Sequence, residues 1–385
     1  MKKCILLILL CAGWPLLGHA DGLLAIDNPA NNGSGIRVYA NVEAFEGNDQ
    51  VAMRQYGAGW QGAYSPRPGS NIGLLAANAE TGIQWQGYRL GALYRADALV
   101  QANRDTSDLV QQYATHGGYD IGRTYALNYQ ITGFEADGAH LSRSFQLKSS
   151  QPWQINVGFG LSYLHGQRVK IQTVTGQIVT INSQDFNAAA NEISSDSTIN
   201  VSNLDQFNAP FGRLAGPSGT GYAVDAGITI RHQATGATLE VAVTDLTGYL
   251  DWTNLPTNAT VYNNATKTYG PDGYVQFNPL ATRTSSYQNL SQRLDPKLRV
   301  AASYPVGNFY IQGSTDYTQG YWFPQTAVGY QINQQWSVKA DIDWHFNTFG
   351  LALQHSWFVI GLRTDSLDLN KAKAYGLTAG IHIPL

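Results

Sequence analysis

The chain has 385 residues, with 24 basic against 27 acidic side chains and only 13% charged positions. The mildly acidic balance argues against nucleic acid as a partner. After the amino terminus no segment approaches the roughly 18 uninterrupted apolar residues of a membrane helix, so membrane integration requires a β-barrel.

In chain order, Lys2 and Lys3 precede an apolar run from Cys4 to Leu17, then Gly18-His19-Ala20. This reads as a secretory signal, residues 1–20, with Asp21 as the mature start. Cys4 and Cys11 both leave with it, so the mature chain offers no disulfide, thiol nucleophile or thiolate metal site. Without Lys2 and Lys3, 22 basic residues face 27 acidic ones, a net charge of −5. Residues 21–54 read as either a plug or a first strand, and 55–385 as the barrel.

From there the chain alternates with period two, the signature of strands. Tyr88, Leu90, Ala92 and Tyr94 share one face, with Arg89 and Arg95 on the other. "WQINVGFGLSYLH" carries aromatics near both ends, Trp153 and Tyr163, on its apolar face. Residues 222–243 form a hairpin turning near 234–236. Lys297 and Arg299 alternate with Leu298 and Val300. In "WSVKADIDWHF", residues 336–346, the even face holds Trp336, Val338, Ala340, Ile342, Trp344 and Phe346; the odd face holds Lys339, Asp341, Asp343 and His345.

A soluble sandwich has no reason to place tryptophan at both extremities of its apolar face. An outward lipid face bounded by an aromatic girdle does, and its other face then looks into a watered interior. The fold class is therefore all-β, an antiparallel transmembrane barrel. Seventeen candidate strands, including 36–45 and 55–64, reduce to about 16 because bacterial single-chain barrels use even numbers, with 14 to 18 admissible. Polar segments at 183–220 and 251–272 read as extracellular loops, and 97–118 as a loop with a helical turn.

The last strand places Tyr375, Leu377, Ala379, Ile381, Ile383 and Leu385 at every second position. This resembles the carboxy-terminal strand of Gram-negative outer-membrane β-barrel proteins. The resemblance implies export to the cell outer membrane, contact with outer-membrane lipid, and recognition by the barrel assembly machinery. The class usually closes on Phe or Trp; this chain closes on Pro384-Leu385, and a strand end tolerates the lost donor of Pro384. Asn28-Pro29-Ala30 is similar to a tripeptide early in hydrophobic-compound transporters of the long-chain fatty acid type; a plain Asn-Pro turn accounts for the same residues.

Enzyme chemistry finds little footing. His355 and Ser356 are neighbours in a strand, which sends them to opposite faces. Asp341, Asp343 and His345 share a face, as an acid-base or metal cluster would, and equally as lumen residues paired with Lys339 would. No G-x-S-x-G elbow, H-E-x-x-H helix or phosphate-cradling glycine loop occurs. The expectation is no catalytic site, no metal and no cofactor. The inward Arg89, Arg95, Lys297, Arg299, Lys339, Asp341, Asp343 and His345 offer both signs of charge, which favours a passive porin-like channel for small polar solutes whose identity is open. The alternatives are a transporter of hydrophobic compounds or a plugged barrel serving export or surface assembly, with a hydrolase behind them.

Overall fold

The computed structural model describes residues 22–385 apart from 56–58, 61, 148–151, 183–185, 200–215, 264–266, 270, 272–274 and 278–280. The signal segment and Asp21 thus lie outside the described residues. In chain order the strands are β1 (Arg37–Asn48), β2 (Ser70–Trp85), β3 (Tyr88–Asn103), β4 (Thr124–Leu147), β5 (Trp153–Thr180), β6 (Phe186–Asp196), β7 (Ser218–His232), β8 (Thr238–Asn263), β9 (Lys267–Tyr269), β10 (Val275–Phe277) and β11 (Ala281–Arg293). They continue with β12 (Lys297–Val306), β13 (Phe309–Thr318), β14 (Tyr321–Gln331), β15 (Trp336–Asp343), β16 (Thr348–His355), β17 (Phe358–Thr364) and β18 (Ala374–Pro384). One helix, α1 (Arg104–Thr115), follows β3.

Neighbouring strands pair antiparallel around a ring, and β18 returns to β1 from Ala374 opposite Gly47 to Pro384 opposite Arg37. Fourteen strands close the barrel, and two further strands of the same sheet, β6 and β11, stand outside the ring. The expected figure of 16 therefore describes the sheet, and the wall itself has 14. Strands β5 and β8 have 28 and 26 residues, against the roughly 9–11 that cross a bilayer. Their excess length projects beyond the membrane, where β6 pairs with both and β11 with β8. Dividing these runs at membrane-crossing length splits β4 and β5 in two. The described residues of 55–64 hold no strand, and 349–363 is two strands meeting at a tight turn.

Where they are described, the polar segments expected as loops are largely this outer sheet, β6 in the first and the upper half of β8 in the second. The buried side chains of β6 and of the upper half of β8 are mostly small or polar, Ala188, Ala190, Ser194, Thr257 and Thr260 among them, so no run of large apolar residues alternates there to betray a strand. Of the segment 183–220, residues 183–185 and 200–215 lie outside the described part.

One rim carries Arg37, Leu385 and short turns, among them Gln86-Gly87, whose positive φ values of 47° and 83° match the two-residue hairpin turn that suits strand twist. The other rim carries α1 and the projecting strands. Short turns mark the periplasmic side. Trp153 stacks edge-on with His232 and Trp336 packs on His355 and Phe358, all on that rim; Trp344 and Tyr163 are exposed on the outer wall nearer the opposite end. Tyr375, Leu377, Ile381, Ile383 and Leu385 of the last strand are exposed, whereas Ala379 is half-buried.

Val338, Ile342 and Trp344 point outward, while Lys339, Asp341 and Asp343 are buried inside. Phe346 departs from the expected even face. Strand β15 stops at Asp343, whose carboxylate accepts the amides of His345 (3.2 Å) and Phe346 (2.8 Å). The resulting turn throws Phe346 inward against Phe45 and Phe323.

The two faces give an immediate test. Ile342→Arg, 40% exposed on the lipid side and two residues short of Trp344, should cost roughly 1–3 kcal/mol, between the midplane and interface values, read as a lowered denaturant midpoint in lipid vesicles. Asp341→Asn should also destabilise, because Asp341 holds buried Arg363 at 2.5 Å. Tolerance of Ile342→Arg would reverse the assignment of faces.

Candidate functional site: a plugged lumen

The segment ahead of β1 turns into the barrel. Asp316 on β13 accepts the amides of Leu23 (2.9 Å) and Leu24 (3.2 Å), and Arg299 on β12 donates to the Ile26 carbonyl (3.0 Å) while making two hydrogen bonds to Asp316. Arg89 reaches Asp27 at 2.6 Å. Asn28 then caps a short turn, Pro29–Asn31, its Oδ1 accepting the Ala30 amide and its Nδ2 donating to Thr229. Asn31 donates to Glu240, and Asn32 to Ser142.

Two glycines admit this turn. Gly158 on β5 lies directly opposite Gly227 on β7. A Cβ on the first would stand 2.2 Å from the Pro29 carbonyl carbon, and on the second 2.0 Å from Asn28 Oδ1. Residues 21–54 are thus neither wholly plug nor wholly strand: 22–32 enter the lumen, Ser34 to Ile36 lie exposed at the periplasmic rim, and 37–48 are β1.

A second closure crosses the barrel. Arg95 on β3 makes two hydrogen bonds to Asp245 on β8 (2.8 and 2.7 Å) and one to Asp97, which also binds Lys297 on β12. Asp245 reaches inward from a bulge: the β7–β8 register passes from Val224 opposite Thr247 to Ala226 opposite Val243. Its φ of 59° is a left-handed conformation that such a bulge tolerates. This tie separates a lobe bounded by β3, β4, β5, β7 and β8 from the remainder. Leu93, Phe134, Leu164, Leu250 and Trp252 fill that lobe with apolar packing.

At its outer end the plug joins another apolar cluster, its Leu23, Leu24 and Ile26 packing against Phe45, Ile72, Leu74, Leu99, Phe323 and Phe346. On the periplasmic side a cavity of about 340 Å³ is bordered by Asn31, Gln84, Arg231, Glu240 and Gln354. Helix α1 sits at the outer mouth, clasped by Arg123 to Asp105 and Asp108 (2.9 and 2.8 Å). Tyr64 donates to Asp108 (2.7 Å); burial, and then that carboxylate, push its phenol well above the usual range, so it remains a donor at neutral pH.

All eight lumen candidates point inward, yet they do not form one site. Arg89, Arg95, Lys297 and Arg299 join the ties above, and Asp341 pairs with Arg363. Asp343 caps its turn. His345 lies on Phe323 with Nε2 3.5 Å from Asp49, so Asp341, Asp343 and His345 make no metal cluster. The turn at 355–358 brings Ser356 Oγ within 3.5 Å of His355 Nδ1, contrary to the expectation of opposite faces, but that ring is packed among Trp336, Trp357 and Phe358. The partners Glu80, His140, Asp225, Asp245, Asp316 and Arg363 were not singled out by the sequence. Among them only Asp245 left a local mark, where the alternation of β8 fails after Val243.

Asp27, Glu80 and His140 place ligand atoms within 4.8 Å of one another. Arg89 takes both Glu80 oxygens, however, and that trio is an ion-pair knot.

A closed ring of strands with apolar side chains outside and paired charges inside is an outer-membrane β-barrel of the Gram-negative type. No protein-family model matches the chain, and no curated protein does. Solved structures similar to it include a mutant of the Pseudomonas putida monoaromatic hydrocarbon channel TodX, 8% identical over 93% of both chains with a TM-score of 0.45. A Pseudomonas aeruginosa FadL homologue is 12% identical over 92% of both, TM-score 0.39, and the Escherichia coli outer membrane protease OmpT 11% identical over 91% of this chain and 97% of that one, TM-score 0.23. At such values the functional argument rests on this chain's own residues.

Proposed function

We propose that this barrel passes hydrophobic compounds across the outer membrane and that residues 22–32 hold it shut in the state described. The observation that carries the reading is the apolar cluster inside the outer half of the lumen. A barrel interior that conducts polar solutes is polar, whereas here Phe45, Ile72, Leu74, Leu99, Phe323 and Phe346 line it, and the chain covers them with its own Leu23, Leu24 and Ile26. An apolar compound reaching that region can replace those contacts, and water cannot. The polar-channel reading loses its main support, since most of the lumen charges that favoured it are bound to one another or to the plug.

Removing 21–54 would delete β1 and break the ring at β18, so it cannot test a plug. The informative deletion is 22–32, which keeps the Gly33 and Ser34 carbonyls that hold the Gly87 and Gln86 amides. Cells producing the full chain should take up labelled toluene several-fold faster than cells with an empty vector, while arabinose entry stays at background. Arabinose entry without toluene uptake would return the polar channel, and neither, with the barrel folded, would favour an export or assembly role.

A further inference from the structure

We propose that His140 and Asp225 form the protein half of a divalent transition-metal site built into the wall between β4, β5 and β7, a role separate from transport. His140 Nδ1 lies 3.2 Å from Glu80 Oε1. An ionised Glu80, already gripped by Arg89, can only accept, so Nδ1 carries a proton, and in the neutral ring Nε2 then presents its lone pair. That is how metal-binding histidines are held, the far nitrogen donating to a carboxylate that fixes the tautomer. Nε2 has no hydrogen-bond partner, although His140 is only 5% exposed.

What Nε2 faces is Asp225. Its Oδ1 accepts the Asp245 amide, and Oδ2 lies 3.9 Å from Nε2. That is too long for a hydrogen bond, and it is a separation that one ion can bridge with bonds of about 2.0–2.2 Å to each atom. Room for the ion is kept by Gly160 on β5, opposite Asp225. A Cβ there would stand 2.9 Å from Nε2 and 3.3 Å from Oδ2.

Charge supplies an independent argument. Asp225 and Asp245 stand side by side, with the Arg95 guanidinium bound to Asp245 rather than to Asp225. Buried charge of one sign is costly, and a cation between His140 and Asp225 would relieve it. An imidazole ligand selects a zinc-like ion over calcium or magnesium, with water completing the shell.

The test is calorimetric titration of the folded full-length protein in detergent with Zn²⁺ alone, in a His165→Ala background, because exposed His165 beside Asp137 offers a competing surface pair. The structure predicts one equivalent bound, weakened at least tenfold by Asp225→Asn, by His140→Gln and by Gly160→Ala. Glu80→Gln should cost about 10–100-fold through the tautomer it fixes. Gel mobility before and after boiling reports whether each variant is folded; Gly160→Ala removes no bond, so it keeps the test alive should a polar variant fail. Absence of binding at sub-millimolar Zn²⁺, or affinity unchanged in folded Asp225→Asn or Gly160→Ala, overturns the site.

Discussion

Gly158→Val combined with Gly227→Val should yield a folded barrel that conducts in a planar bilayer, whereas the parent stays closed or opens only briefly. The added carbons would stand 2.2 Å and 2.0 Å from the turn at Asn28 and Pro29, far inside van der Waals contact, so the turn cannot seat. Valine itself suits a strand, and the wall pairing of the two positions is unaffected. Losing the seat forfeits the hydrogen bonds of Asn28, Asn31 and Asn32 to Thr229, Glu240 and Ser142, each worth about 0.5–1.5 kcal/mol. The clasp of Asp316 and Arg299 on Leu23, Leu24 and Ile26 then holds a segment no longer anchored below. The plug reading predicts sustained open-channel current in the double variant, with a larger current still when residues 22–32 are deleted. A closed double variant whose mobility shift is normal would mean that the segment is dispensable for closure.

The seat was invisible from either side in sequence. Asn28-Pro29-Ala30 announces a turn but not the surface it meets, and Gly158 and Gly227 are two of 40 glycines. The wall was legible because lipid imposes one rule on every strand crossing it, and Trp336, Ile342 and Trp344 obey that rule residue by residue. Where lipid ends, so does the rule. This is why β6 and the outer half of β8 passed for loops, and why Phe346, one turn beyond β15, was placed on the wrong face. The inward charges were legible one strand at a time. That Arg95 meets Asp245, 150 positions away, depends on which strands face each other across the closed ring, and an alternating pattern carries nothing about that.

The Arg95 to Asp245 tie should therefore be the costliest interior contact to break singly and among the cheapest to replace as a pair. Both side chains are buried, 6% and 1% exposed. Asp245→Ala leaves the Arg95 guanidinium beside Asp97, which already serves Lys297, and removing one partner of a buried pair costs about 3–5 kcal/mol. The lobe behind the tie is apolar, with Leu93, Phe134 and Leu164 close by and the Arg95 guanidinium 5.6 Å above the Phe134 ring. Arg95→Met with Asp245→Leu should consequently recover most of the loss, because apolar groups of similar volume carry no desolvation penalty. Denaturant midpoints in lipid vesicles, measured for the parent, both single variants and the pair, give the coupling directly. The recovered pair also separates the two closures: with the plug seated it should remain non-conducting, since the segment ahead of β1 still crosses the lumen. Single variants as stable as the parent would show that water, not Asp245, satisfies Arg95, and the tie would then be no more than a crossing of two solvated chains.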